Sequence, residues 1–520
     1  MNPDETIAGK QIGGKAMVFF WLAAVFLTIL GSKLWLIDLY GSALPWWDQW
    51  VTEGWSLYIP FMEKNLALKD LFAGHSEHRI FINRVLSLLL LVLNGQWDAR
   101  LGMTLNALIT AGIGVILSAF AWTLLSRKHL AVLCLFNTLV FSLPFSWACT
   151  LLGLTGKEVL IVFALLAIWF LLRSRLFSWQ WFLGFLCALF SLVTMGSGFC
   201  AAASVLLIIL LRTVMQRGPD FRRRSESHGG QVAGGSAGAS RLGENLISMT
   251  ILLAVFIAGL LLMTSVPEHM ALRPDNIHAF FVYFGQNLAW PNSDLPWTAF
   301  IIWLPSLLLF YAHIFRRIDE RSSAEFVLGF GLWAALQDAA LAFSRCGAIT
   351  SRHTIFLCLS LPINFLAFLL LLHQRPAMPF LRKCLMVVFL VWLCNAGYDL
   401  WKISDKTHLV EAASDKQHFK QCEINVRSFL QTDNIADLAN KPLYDIPFPN
   451  PEQLALVLRN PHIRAILPSC VADANKPGPL SVFVSKLTPM GDKLLIIGIT
   501  LLVVLTGIRF YQSLGSGKGF

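Results

Sequence analysis

Hydrophobic residues in this chain fall in long, nearly unbroken runs separated by short polar and basic segments. A helical run of about 17 to 25 residues can cross a hydrocarbon core of roughly 30 Å. Twelve such runs can be placed, near 16–37, 99–125, 130–147, 158–173, 178–195, 198–213, 246–265, 298–315, 324–343, 354–373, 381–398 and 492–511. The polar stretch 1–15 carries no small-residue cleavage site beyond the first run, which therefore reads as a retained anchor. Setting the N-terminus inside collects Arg127-Lys128-His129, Arg173 and Arg175, Arg212 with Arg217 and 222–224, Arg316 with Arg317 and Arg321, and Arg375 with Arg382 and Lys383 in cytoplasmic turns, as the positive-inside bias requires. That agreement holds only if the apolar run 81–93 does not cross. It is expected to lie along the outer leaflet as an interfacial helix, with Arg79 and Arg84 at its polar start and Trp97 at its end. Gly196-Ser197-Gly198 is expected to form a tight outer turn, because glycine tolerates the backbone angles of a reversal.

The expected fold is therefore an all-α polytopic membrane protein of about twelve transmembrane helices, with interfacial helices in the first outer loop. Two segments break the apolar pattern. Residues 214–245 are basic and rich in Gly and Ser, and read as a flexible cytoplasmic loop. Residues 399–490 are mixed in character, with Pro447, Pro449, Pro451 and Pro461 interrupting two expected helices near 409–431 and 451–459. They read as a small outer domain, α/β or irregular, between a membrane domain 1–398 and a last helix with its tail, 491–520. Cys422 and Cys470 lie in it, and an oxidising outer compartment would permit a disulfide between them; spacing alone leaves that open.

Composition agrees with this reading. The chain has 520 residues, of which 56% are hydrophobic and only 14% charged, with mean hydropathy +0.62, which excludes an ordinary soluble domain. Many of the 18 tryptophans stand near run ends, where an amphipathic ring suits the interface. The net charge of +10 calls for no nucleic acid, since the basic residues sit in short inner loops. Localisation is expected in a bacterial inner (plasma) membrane, multi-pass, with both termini cytoplasmic.

Candidate chemistry gathers on the outer side, mostly in the loop 38–98. Asp48, in Pro45-Trp46-Trp47-Asp48-Gln49-Trp50, can serve as a general base; the plainer alternative is a helix cap. Glu53 is a weaker second carboxylate. His75, Glu77 and His78 follow, and H-x-E-H matches no zinc signature, so orientation of Asp48 or contact with a sugar is preferred to a divalent metal site. Arg79 and Arg84 can face a lipid phosphate, for which the planar guanidinium fork is suited. Arg345, Arg352 and His353 occupy an outer turn that breaks the positive-inside pattern; they either snorkel to headgroups or bind an anionic ligand. Lys157 with Glu158 are expected to pair, Arg273, Asp275 and His278 to precede a second interfacial helix, and Gln337 with Asp338 to face the bundle.

The layout resembles the GT-C superfamily of integral membrane glycosyltransferases, which includes the lipid A aminoarabinose transferase and the protein O-mannosyltransferases. The likeness lies in an acidic residue in the first outer loop (Asp48), a membrane-lying helix, a span opening Asp98-Ala99-Arg100-Leu101 and closing in Arg127-Lys128, and the Gly196–Gly198 turn. It is similar also to bacterial membrane proteins with an E-H-R-I motif and a late S-R-[YH] motif, here Ser351-Arg352-His353. Coverage is roughly 16–398. The resemblance implies transfer of a sugar from a polyprenyl phosphate donor to a glycolipid, glycan or protein hydroxyl, with Asp48 as base, arginines on the leaving phosphate, and no cofactor. Many members carry two adjacent acidic residues where this chain has Asp48-Gln49, which argues against a metal-dependent variant. A flippase or a glycan-assembly protein is the rival reading.

Overall fold

The computed structural model describes residues 3–125, 127–217, 234–264, 266–315, 318, 321–347, 349–373, 379–404 and 409–515. Among them, nine helices are long and apolar enough to cross a membrane, from Lys15–Tyr40 to Pro479–Gln512. A tenth candidate is the pair His129–Ser142 and Pro144–Leu151, bent by 42°. Pro144 opens the second piece, where its missing N–H leaves no helical bond unmade. Two further expected runs are the helices Lys157–Arg173 and Trp179–Leu192, shorter at 17 and 14 residues. The protein is thus an all-α, multi-pass membrane protein. Residues 218–233, most of the expected cytoplasmic loop, lie outside the described residues, as do Arg316, Arg317 and Arg375.

Helices apolar on every side can sit anywhere in a bundle, so packing decides which are central. Thr354–His373 is the most enclosed, with 94% of its apolar window buried, whereas Pro479–Gln512 has only 17%. The latter presents Ile496, Ile497, Val503 and Val504 outward, where lipid chains would cover them. Its inner side lies against the first span. There Gly31, Gly491 and Gly498 let the two backbones approach so closely that a Cβ at any of the three would collide with the opposing main chain.

The helix Phe81–Asn94 has 14 residues, about 21 Å at 1.5 Å per residue, the same length as Trp179–Leu192, so its faces rather than its length set it apart. It buries Arg84, Ser87, Leu91 and Asn94 and exposes Val85, Leu89, Val92 and Leu93, so its two faces differ as an interfacial helix requires. Gly95 ends it in the left-handed conformation, at φ 68°.

The polar segment corrects one expectation. It is helical, with Leu409–Thr432, Pro451–Arg459, Pro461–Ile466 and Pro479–Leu487, and no strand occurs in it among the described residues. Asn450 and Asn460 cap the two middle helices, each followed by Pro at the first helical position, so the prolines start helices rather than only breaking them. Phe419, Val426, Phe429, Leu454 and Leu458 pack on Trp46, Trp50 and Trp97 of the first outer loop, forming a second hydrophobic core outside the bundle. Cys422 and Cys470 are not joined: both are free, and the Cys422 thiol points to the Tyr444 carbonyl at 3.3 Å.

Candidate functional site at the outer end of the bundle

The outer loop carries the only sheet among the described residues, a two-stranded hairpin in which Gly74 pairs with Arg79 and His75 with His78. Ser76 turns it at φ 50°. Arg84 holds this hairpin's approach: its guanidinium is buried and donates to the carbonyls of Asp70 (2.7 Å), Leu71 (3.3 Å) and Ala73 (2.6 Å). Arg79 donates to the carbonyls of Phe72 (2.9 Å) and Leu262 (3.3 Å). Both arginines were expected to face a lipid phosphate. Arg84 Nη1 and Arg79 Nε and Nη1 instead serve main-chain oxygens, while Arg84 Nε stays buried without a partner.

The hairpin presents its three polar residues differently. His75 Nε2 lies 3.6 Å from Asp48 Oδ2, an electrostatic contact slightly too long for a hydrogen bond. Glu77 receives Arg345 through both fork nitrogens, at 3.2 and 3.3 Å, and meets His269 Nδ1 at 2.6 Å. Burial alone would raise the Glu77 carboxyl, but the bonds from Arg345 and His269 outweigh it and hold it down to about 2. Glu77 is therefore a fixed anion that organises the Arg345 guanidinium and the His269 ring. Burial pushes His78 down to about 4, and its Nδ1 accepts the Gly196 N–H at 3.1 Å, which requires a neutral ring. Gly196 comes so close that a Cβ would stand 2.7 Å from the Glu77 carbonyl oxygen. The expected outer turn thus exists, as the short 3-10 helix Gly196–Phe199, and it buttresses the hairpin. Gln337 secures it from the bundle by donating to the Ser197 carbonyl at 3.2 Å.

Asp48 follows Trp47, whose backbone is left-handed at φ 48°. The Asp48 carbonyl accepts from Thr52 N and Oγ1 at 2.7 and 2.8 Å, fixing the start of the next helix, while the carboxylate side chain remains 71% exposed. Its pKa is lowered, most by His75, with burial opposing and the charges of Arg352 and His269 adding. Arg352 is exposed, and its carbonyl accepts from the Cys149 thiol at 3.0 Å. His353 is buried, its Nδ1 meeting Thr350 Oγ1 at 3.1 Å, and it shapes the turn rather than the surface.

Glu53 is no second exposed carboxylate. It is partly buried with four donors around it: Trp97 Nε1 (2.8 Å), Gln49 Nε2 (3.4 Å), Ser87 Oγ (3.3 Å) and Tyr58 Oη (3.3 Å). Beside it lies a cavity of about 20 Å³, room for one water and far too small for a sugar. Glu158 is buried and bonds Thr155 Oγ1 at 2.8 Å; no ion pair joins it to Lys157, since consecutive helical residues point in different directions. The helix Ile277–Leu288 forms after Asn276, and Arg273 lies over the Phe343 ring at 5.2 Å. Among the described residues, no three His, Cys, Asp or Glu side chains converge to hold a metal ion. Sequence reasoning passed over His269. Its signal was its place in the short 3-10 helix Pro267–Leu272, just beyond the outer end of a span.

Fold and site together define a multi-pass, all-α membrane protein whose ionisable side chains converge outside the bundle on one exposed carboxylate with cationic neighbours. No protein-family model, curated protein or solved structure matches the chain.

Proposed function

We propose that the protein is a GT-C-like glycosyltransferase of twelve spans in a bacterial inner membrane, with both termini cytoplasmic. It moves a sugar from a polyprenyl phosphate donor to a hydroxyl of a glycolipid, glycan or protein on the outer face. The observation that carries this reading is Asp48: an exposed carboxylate 3.6 Å from His75, its pKa lowered by His75 and by the fields of Arg352 and His269. In the reaction the acceptor oxygen attacks the anomeric carbon, the bond from that carbon to the phosphate oxygen breaks, and the hydroxyl proton passes to Asp48. A lowered pKa makes Asp48 a weak base. That suffices where the sugar has oxocarbenium character before the proton moves, because the attacking oxygen is by then acidic. Arg352 is placed to offset the charge on the departing phosphate, which leaves without needing an acid. Glu77 acts indirectly, holding Arg345 and His269 in position.

The test is mass spectrometry of envelope glycans and glycolipids from cells making the intact protein or Asp48→Asn at matched levels. Loss of a sugar-sized mass, with accumulated polyprenyl phosphate sugar, is expected, since removing a general base costs about 10²- to 10⁴-fold in rate. Unchanged glycans would reject the transferase in favour of a carrier or an assembly protein.

A further inference from the structure

The loop 442–448 of the outer segment lies beside the candidate base, and three of its main-chain oxygens are fixed. The Tyr444 carbonyl accepts from the Cys422 thiol at 3.3 Å, the Asp445 carbonyl from Asn425 Nδ2 at 2.8 Å, and the Pro447 carbonyl from Trp47 N–H at 2.7 Å. A loop pinned this way holds its side chains still, yet it leaves the Tyr444 ring 48% exposed. That ring stands 6.1 Å from the ring of Trp47 and 5.7 Å from the ring of His418. His418 Nδ1 in turn meets Asp445 Oδ1 at 2.7 Å, and both side chains are partly open to solvent.

Two features mark this as built rather than incidental. Trp47 adopts the left-handed backbone at φ 48°, which is unfavourable for a bulky residue, and its N–H bond to Pro447 is what holds it there. Trp46, next to it, goes the other way and is buried edge-on against Phe419 at 4.9 Å, anchoring the pair to the second core. The result is three rings in succession, Trp47, Tyr444 and His418, the last paired with Asp445, starting one residue from Asp48.

We infer that Trp47, Tyr444 and His418 with Asp445 form a saccharide subsite for the acceptor. This rests on the transferase reading and says which class of acceptor it serves. The C–H face of a pyranose packs on the aromatic rings, and its hydroxyls donate to Asp445 or accept from His418. Trp47 directly precedes Asp48, with Cα atoms about 3.8 Å apart, so the first ring belongs to the residue next to the candidate base.

The experiment uses full-length protein in lipid nanodiscs on a printed array of neutral and acidic oligosaccharides without lipid. Intact protein is expected to retain a set of glycans, and Tyr444→Ala to lose them by at least about ten-fold. Tyr444→Phe, which keeps the ring, should bind like the intact protein. Tyr444→Ala is checked for an intact outer core by unchanged protection of 419–429 in hydrogen exchange. Retention of no glycan by the intact protein, or equal retention by a folded Tyr444→Ala, overturns the subsite. Glycan retention together with normal envelope glycans in Asp48→Asn cells would overturn the transferase reading while leaving the subsite standing.

Discussion

Replacing Glu53 tests whether the second core depends on a partly buried carboxylate. In Glu53→Leu the Trp97 Nε1–H loses its 2.8 Å acceptor and the Gln49 amide its 3.4 Å one, while Tyr58 keeps the Ser87 carbonyl at 3.3 Å and the Ser87 hydroxyl can turn. Stranding one strong and one weak donor costs about 2–4 kcal/mol at roughly 1–3 kcal/mol per orphaned group. Opening of the outer core should then be roughly 30- to 1,000-fold more frequent. Hydrogen exchange of the helices Trp50–Tyr58 and Pro451–Arg459, read by mass spectrometry on protein in detergent, measures it directly. Glu53→Gln should behave oppositely. Its amide oxygen can accept from Trp97 and Tyr58 and its nitrogen can donate to Ser87, so only the weak 3.4 Å contact from Gln49 is lost, and no charge is buried. Burial raises the Glu53 carboxyl above its ordinary value, so the folded protein carries a cost that grows as pH climbs from about 4.3 through the folded value. The advantage of Glu53→Gln over the intact protein should therefore be small at low pH and increase toward neutrality, after correction for intrinsic exchange rates. Equal protection in Glu53→Leu and the intact protein would refute the reasoning. It would mean that water entering the neighbouring cavity serves the donors as well as the carboxylate does.

Two further outcomes follow from the hairpin. Arg345→Gln leaves Glu77, whose side chain is only 12% exposed, with His269 alone, and should destabilise by about 1–3 kcal/mol at neutral pH. Because Glu77 is depressed to about 2, its contribution is present above about 4.3 and is lost as pH falls through 2. The variant's acid-unfolding midpoint, followed by loss of monodisperse protein, should move to higher pH; an unmoved midpoint would count against the pair. Gly196→Ala puts a methyl 2.7 Å from the Glu77 carbonyl and 2.9 Å from His78 Nδ1. It should break the Gly196–His78 bond and speed tryptic cleavage at Arg79, whereas unchanged cleavage would show that the turn yields freely.

The exposed carboxylate, the hairpin that faces it and the turn that supports the hairpin come from separate parts of the chain, and each is held by contacts of a different kind. Asp48 is set by a strained tryptophan and by Thr52 on its carbonyl, the hairpin by Arg79 and Arg84 on carbonyls, and Arg345 by Glu77. A loop this long needs such ties, because it has almost no ladder of its own to satisfy its main chain.

Much of the architecture was legible in the sequence because crossing a membrane is a local problem. A run such as 354–373 is committed to helix and to apolar surroundings by its own composition, whichever neighbours it acquires. The separate helix expected near 81–93 and the two helices flanking 432–451 were legible for the same reason. Partners were not. His269 and Arg345 meet Glu77 across 192 and 268 positions of chain, and no pattern within a run specifies such a meeting. An arginine's composition says that it will seek oxygen, but not whether the nearest oxygen is a phosphate or, as for Arg84, three backbone carbonyls. Nor could proline spacing show that 399–490 would fold as helices onto Trp46, Trp50 and Trp97, since that core exists only when both segments supply half of it. Local hydrophobicity fixed which segments are helical; the packing of distant segments decided which charges are spent on structure and left Asp48 facing outward.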